Sequence, residues 1–221
     1  MANTSVKNLI DQAARLVVDS QMIRWDMDFW VDAYNSAIKA VISVRPDALT
    51  RTQEISCVAG STQDIPAKAR YLIDVIRNVD GNAITGPTPL KMFNDYRPDW
   101  RTQKEKPQAS TYLYDERNAE NFYLYPPVVA GTKIEAVFAF EPVEITDQDY
   151  QSNTPCELNP MYDNPIIEWL IYRAFSEYSE ITANSQRANE AISTFRLLLG
   201  DKAAGDAENY AKNQEFNNVA R

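Results

Sequence analysis

The chain has 221 residues, of which 44% are hydrophobic and 24% are charged, and it contains no histidine. Catalytic systems built on a Ser-His or Cys-His pair are therefore excluded, and so are zinc and haem sites that need a histidine ligand. The formal net charge of −9 opposes tight binding of nucleic acid, because phosphates carry the same sign. No apolar run approaches the ~20 residues of a membrane-spanning helix, so we expect no membrane partner.

The N-terminal part of the chain has the apolar periodicity of two helices. The first is predicted over residues 3–19, with Thr4 or Ser5 as its N-cap. The second is predicted over about 25–43, where Asp26 and Asp28 suit the positive end of the helix dipole. We expect it to stop at Arg45-Pro46, because the residue before a proline is pushed out of the helical conformation.

From about residue 54 the pattern changes to the alternation of β-strands. Gly60-Ser61 and Asp80-Gly81-Asn82 are predicted turns, and Pro126-Pro127 is predicted to end a strand. One short helix is predicted from Pro89 to Tyr96, and the strongest strand is predicted at Lys133–Phe140. The predicted strands cover residues 54–59, 70–78, 83–85, 110–114, 121–125 and 133–140.

Helical periodicity returns near the C-terminus, with helices predicted over 161–180 and about 185–199. Gly200 is expected either to end the second helix or to weaken it before a polar tail. The fold class is therefore predicted to be α+β, an antiparallel helical bundle with a β-rich insertion. Residues 1–53 and 160–221 would form the bundle and a docking tail, and residues 54–159 would form the insertion.

Two groups of acidic residues could carry chemistry, and neither has a specific pattern. Residues 147–153 begin like a calcium-binding EF-hand loop, but Ser152 and Leu158 stand where that loop needs glycine and glutamate. The aspartates of the second helix, Asp32 included, could hold a metal or exchange protons, yet acids are ordinary in a first helical turn. No glycine-rich phosphate motif occurs. We expect no catalytic residue, no metal, no cofactor and no enzyme.

Aromatic residues on a predicted hairpin and two cysteines are further candidates. Side chains of a β-strand point alternately to its two faces, so half of the hairpin aromatics should lie in the core. The others could contact a neighbouring subunit or stack on a sugar or base. The aromatic residues are Tyr112, Tyr114, Phe122, Tyr123 and Tyr125. Cys57 and Cys156 each stand alone, and we expect both to be buried, reduced thiols.

Nine short strings in a fixed order add a resemblance that composition does not supply. They are WVDA (30–33), RPDA (45–48), AGSTQDIP (59–66), LIDVIRN (72–78), RPDW (97–100), YDER (114–117), FYLYPPV (122–128), IEAV (134–137) and YRAFS (172–176). No single string is specific, but over roughly residues 25–200 the chain resembles the head-to-tail adaptor proteins of short-tailed phages.

The resemblance implies a structural role and no reaction. Such adaptors bind beneath a twelve-fold portal protein and receive the tail nozzle or tail tube protein. The chain would then form a homo-oligomeric ring, expected to be a dodecamer, through which DNA passes without being bound tightly. It would belong to the neck or tail of a virion and would occupy the host cytoplasm during assembly. No catalytic residue is carried over by the resemblance.

The polar tail after Gly200 is the expected portal-docking element. Ala207, Tyr210 and Ala211 fall at helical spacing, so this tail has one modest apolar stripe. Isolated helices of this length are marginal in water, and we expect the tail to fray in solution and become helical on the portal. Tyr210 and Phe216 are the expected anchors, and the docking candidates are Ala207, Tyr210, Ala211 and Phe216.

Two other classes of function stay open on the sequence. One is a tail-associated glycan-binding module or a carboxylate glycosidase, for which Asp115, Glu116 or the pair Asp147 and Asp149 could serve. The other is a capsid-decorating or scaffolding protein, which would bind shells and not the portal. Turnover of glycan and affinity for the portal distinguish these classes from an adaptor.

Overall fold

The computed structural model describes residues 3–115, 117–177 and 182–219, with side chains of the last segment described as far as Gly200. These residues form helices at both ends of the chain and strands between them. The α-helices are α1 (Val6–Leu16), α2 (Met27–Val44), α3 (Leu90–Tyr96), α4 (Asp147–Gln151), α5 (Asp163–Ser176) and α6 (Thr182–Val219). Short 3₁₀ turns lie at Pro46–Leu49, Trp100–Thr102 and Pro160–Tyr162.

The strands form two sheets. They are β1 (Thr50–Ser56), β2 (Gly60–Asp64), β3 (Ala69–Asn78), β4 (Thr85–Thr88), β5 (Thr111–Tyr114), β6 (Asn121–Val128) and β7 (Lys133–Phe140). One sheet has the antiparallel order β1-β7-β3. The other has the order β2-β6-β5-β4, in which only β4 and β5 run parallel.

The chain divides into two compact units. Residues 1–48 and 142–221 form a helical unit, and residues 49–141 form a β-rich unit. The β-rich unit is thus one continuous stretch between the two chain segments of the helical unit.

In the helical unit, α5 packs against α1, α2 and α6. Most of the apolar residues predicted to line α1 and α2 are buried, with Leu9 and Trp30 both fully enclosed, but Leu16 at the end of α1 is exposed. The predicted N-caps are confirmed, since Ser5 accepts a hydrogen bond from the N–H of Asn8 at 3.2 Å and Asp26 caps α2. Each large apolar side chain buried in this way contributes roughly 1.5–3 kcal/mol.

In the β-rich unit, β7 is the central strand of its sheet, and buried residues alternate with more exposed ones from Lys133 to Phe138. Ile134, Ala136 and Phe138 are completely buried on one face, and the bounds of this strand agree with the prediction. Tyr112 of β5 donates a hydrogen bond at 2.9 Å to the carboxylate of Asp74 on β3, so side chains of the two sheets meet.

The predicted antiparallel helical bundle with a β-rich insertion is wrong as an arrangement, although the α+β composition is right. Helices α1, α2 and α6 pack on α5, whereas α3 belongs to the β-rich unit, and nearly half of the described chain belongs to the two sheets and their connections. Helical periodicity reveals which face of a helix is buried but not which element covers that face.

Two local predictions also fail. The supposed turn at Gly60-Ser61 is the start of β2, and Pro126-Pro127 does not end a strand, because β6 continues to Val128. In β2 the polar residue Gln63 is buried, so the strand lacks the apolar alternation that would have revealed it.

Candidate interaction surfaces

Helix α6 is anchored through one apolar face. Ala188, Ala191, Phe195 and Leu199 are buried along it. The ring of Phe195 lies 5.0 Å, centroid to centroid, from the ring of Trp169 on α5. The first half of α6 is therefore part of the core of the helical unit.

Gly200 neither ends nor interrupts α6, which continues to Val219. A single glycine costs a helix only about 1 kcal/mol relative to alanine, so a long helix can pass through it. The predicted docking residues follow this point. The side chains of Ala207, Tyr210, Ala211 and Phe216 lie outside the described part of the structure, and their role stays a prediction.

The loop between α1 and α2, residues 17–25, holds aliphatic side chains out in solvent. Val18 is 88% exposed and Ile23 is 86% exposed, and Leu16 beside them is 62% exposed. Val18 has a φ of +63°, a left-handed conformation that β-branched residues rarely adopt. We name Leu16, Val18 and Ile23 the apolar knob.

Asp19 fixes the shape of this loop. Its carboxylate accepts hydrogen bonds at 3.0 to 3.2 Å from the backbone N–H groups of Ile23, Arg24 and Trp25. Desolvation by itself would raise the pKa of Asp19. The three N–H donors and the charge of Arg24 together outweigh desolvation, so the net pKa of Asp19 is below its ordinary value. Trp25 is buried against the ring of Phe175, which ties the end of the loop to the core.

A pocket of about 190 Å³ opens between α2 and the segment that precedes α5. Three carboxylates line this pocket, those of Glu144, Asp149 and Glu157. Its apolar lining comes from Tyr34, Ile38, Val143, Ile145 and Pro155. We name this the α2 pocket.

Asn35 holds the outer wall of the α2 pocket in place. Its side-chain amide donates a hydrogen bond to the carbonyl of Ile145 at 3.0 Å, and the N–H of Ile145 donates back to Asn35 Oδ1 at 2.9 Å. Lys39 forms an exposed ion pair with Glu144 one turn further along α2, and this hydrogen-bonded lysine lowers the pKa of Glu144.

Helix α3 is a second exposed feature, in the β-rich unit. None of its residues is buried, and Met92 and Tyr96 are 59% and 77% exposed. Its one inward ring, that of Phe93, lies 4.9 Å from the Tyr125 ring and 5.6 Å from the Trp100 ring.

The hairpin aromatics contribute chiefly to packing. Phe122 and Tyr112 are buried, and burial together with the hydrogen bond to Asp74 raises the pKa of Tyr112. The hydroxyl of Tyr114 accepts a hydrogen bond from the N–H of Leu72 at 3.3 Å. Tyr123 and Tyr125 are half-buried, each against a ring of the segment that contains α3 and Trp100.

The aspartates at the start of α2 cap the helix or influence the charge of neighbouring carboxylates. Asp26 accepts the N–H of Phe29 at 3.0 Å, as expected of a cap. The negative charge of Asp147, followed by that of Asp26, raises the pKa of Asp28. Asp32 lines the same open surface as Asp28 and Asp147. Within the described residues, no group of three or more acids and cysteines is arranged to hold a metal ion.

Of the other carboxylates considered from the sequence, Asp149 and Asp115 have structural partners. Thr146 and Asp149 form a capping box at the start of α4, so this segment is a short helix and not a calcium loop. Hydrogen bonds from Thr146 lower the pKa of Asp149, and those from Arg117 lower the pKa of Asp115. A lowered pKa does not suit a general acid at neutral pH. Glu116 lies outside the described residues.

Both cysteines are buried and neither forms a disulfide. Burial raises the pKa of the Cys57 thiol to about 11 and also raises that of Cys156, which makes both thiols poor nucleophiles. In the part of the chain that the structure describes, every helix falls short of the length or the hydropathy that a membrane span requires.

Comparison with known proteins supports the resemblance carried by the nine strings. The family model described as SU10 adaptor protein matches residues 4–215, nearly the whole chain. A search of curated proteins gives no match. The chain therefore belongs to the SU10 adaptor protein family.

Proposed function

We propose that the chain is a structural head-to-tail adaptor of a phage virion, which forms a dodecameric ring beneath the portal and receives the tail nozzle or tail tube. The observation that carries this proposal is the family match over residues 4–215. As a member of that family the chain is an adaptor protein, and the role that we propose for it is structural. Its place is the neck or tail of the virion, after assembly in the host cytoplasm.

The charge of the chain suits a ring around a DNA path. A subunit with a net charge of −9 repels phosphate on average, so the DNA can pass through the ring without adhering to it. A closed ring also needs two different complementary patches on each subunit, because a heterologous contact that is repeated by rotation closes on itself.

The C-terminal part of α6 is the portal-docking element in this proposal. The buried face of the helix is described as far as Leu199, and the helix continues for twenty further residues, up to and including Val219. Residues 207, 210 and 211 have the spacing of one helical face, and an amphipathic helix commonly binds in a groove of its partner. We propose that Tyr210 and Phe216 are the anchors in a groove between portal subunits.

Mixing the purified chain with portal tests the proposal by mass photometry. We expect a discrete complex that is heavier than portal by multiples of 25.1 kDa, at saturation by twelve chains. Tyr210→Ala with Phe216→Ala should weaken the complex at least tenfold, whereas the control Asn213→Ala, in the same segment, should not. No complex between the folded full-length chain and portal would overturn the proposal.

Two assays separate the adaptor from the other classes. Peptidoglycan and capsule polysaccharide should show no turnover, and turnover that one carboxylate substitution abolishes in a folded chain would establish a glycosidase instead. Binding to empty capsid shells without affinity for portal would establish a decorating or scaffolding protein.

A further inference from the structure

The helical unit carries an apolar protrusion and an apolar pocket at opposite ends of the same helix. The apolar knob follows the C-terminal end of α1. At the other end of α1, the N–H of Val6 donates to Thr154 and the N–H of Cys156 donates to Thr4, both close to the α2 pocket. The eleven residues of α1 span about 16 Å, so the knob of one chain cannot reach its own pocket.

The knob is built to be rigid as well as exposed. Val18 is held at a positive φ, where glycine or asparagine would be less strained, and it nevertheless places an aliphatic side chain in solvent. The carboxylate of Asp19 fixes the following turn through the N–H groups of Ile23 to Trp25. A strained, ordered loop with apolar side chains at its surface is typical of a contact site and not of a simple connection.

The α2 pocket matches the knob in size and in chemistry. Its volume of about 190 Å³ is several times the roughly 30 Å³ share of a water molecule, so a branched aliphatic side chain can enter. Val143 at its edge is itself 62% exposed. Arg15 precedes the knob along the chain and Arg24 follows it, beside the single carboxylate of Asp19. The pocket is lined by three carboxylates, of which Glu144 is paired with Lys39. Opposite charges around an apolar contact favour one partner and one orientation.

We propose that the apolar knob of one chain inserts into the α2 pocket of a second copy of the same chain. The contact is heterologous, because the two patches differ and lie at opposite ends of α1, and it is the kind of contact that rotation can close into a ring. The inference deepens the proposed function and rests on it, since it names the subunit contact of that ring.

Disulfide trapping tests the contact directly. A disulfide needs Cα atoms about 4.4–6.8 Å apart, so Ile23→Cys and Val143→Cys can join only between chains. The double variant should oxidise into a ladder of covalent oligomers on the portal, and a mixture of the two single variants should give a dimer. Each single variant alone should stay monomeric, and the native Cys57 and Cys156 are buried. A dimer of Ile23→Cys alone would indicate an isologous contact and would overturn the proposal.

Charge substitution provides a second readout. Ile23→Asp and Val143→Asp should each raise the chain concentration at half occupancy of the portal at least tenfold. Val58→Asp, at a valine that is 58% exposed in the β-rich unit, is the matched control and should have no effect. All three positions are exposed, so equal melting temperatures are expected and verify the fold.

The outcomes also separate this contact from the adaptor function. If the chain forms rings on the portal but gives no ladder and tolerates Ile23→Asp, the contact is wrong and the adaptor function survives. If the chain forms no ring on portal and gives no ladder even at high concentration, both proposals fail.

Discussion

Asn78 and Ala109 are joined by two reciprocal hydrogen bonds inside the β-rich unit. Asn78 Nδ2 donates to the Ala109 carbonyl at 2.8 Å, and the Ala109 N–H donates to Asn78 Oδ1 at 2.9 Å. The same amide nitrogen also donates to the carbonyl of Asn82 at 3.0 Å. One buried side chain therefore satisfies backbone groups at two separate positions, and without it the buried N–H and carbonyl of Ala109 would lose these hydrogen bonds.

Asn78→Ala should lower the free energy of unfolding by about 2–4 kcal/mol, because it leaves the buried N–H and carbonyl of Ala109 without partners. The matched control is Asn82→Ala, since Asn82 contributes only its backbone carbonyl to this network. Urea denaturation of the two variants measures the difference. A loss below about 0.5 kcal/mol for Asn78→Ala would contradict the importance of the reciprocal pair.

Asn35→Ala should destabilise the helical unit by about 1–2 kcal/mol, because both hydrogen bonds to the backbone of Ile145 are lost. Lys39→Ala removes an ion pair between the same two segments, but both partners are more than half exposed. Water screens such a pair, so this variant should change the stability by less than about 0.5 kcal/mol. Denaturant unfolding compares the two, and hydrogen exchange at residues 143–146 should accelerate only in Asn35→Ala. Equal effects of both variants would contradict the assignment.

Periodicity predicted most elements of the fold but not their arrangement. The ends of β7 and the caps of α1 and α2 could be predicted because alternation and capping are local properties of the chain. The arrangement of three helices around α5 could not be predicted, since an apolar stripe on a helix does not specify which element packs against it. The apolar knob and the α2 pocket were also missed. The knob was missed because Val18 and Ile23 belong to no periodic apolar pattern. The pocket was missed because its walls come from residues more than a hundred positions apart in the sequence.

Asp19 should make the stability of the 17–25 loop depend on acid pH. Its net pKa in the folded chain is depressed, so its stabilising effect is fully present above the ordinary value of about 3.9 and is lost as the pH falls through the folded pKa. Asp19→Asn removes the charge and should be less stable than the natural chain at pH 7. The difference should shrink as the pH falls below about 4, because Asp19 is then protonated in the natural chain. Denaturant unfolding across this range is the measurement, and a difference that grows on acidification would contradict the sign.

Truncation after Gly200 should separate folding from docking. The shortened chain keeps the buried face of α6 from Ala188 to Leu199, so its melting temperature should stay close to that of the full chain. Phe195→Ala is the contrasting variant, because it removes a buried ring that packs on Trp169 and should cost about 3–5 kcal/mol. If residues after Gly200 dock on the portal, the truncated chain should lose portal binding while Phe195→Ala retains it wherever the chain is still folded. Undiminished binding by the truncated chain would instead place the docking element elsewhere, on the helical unit before Gly200.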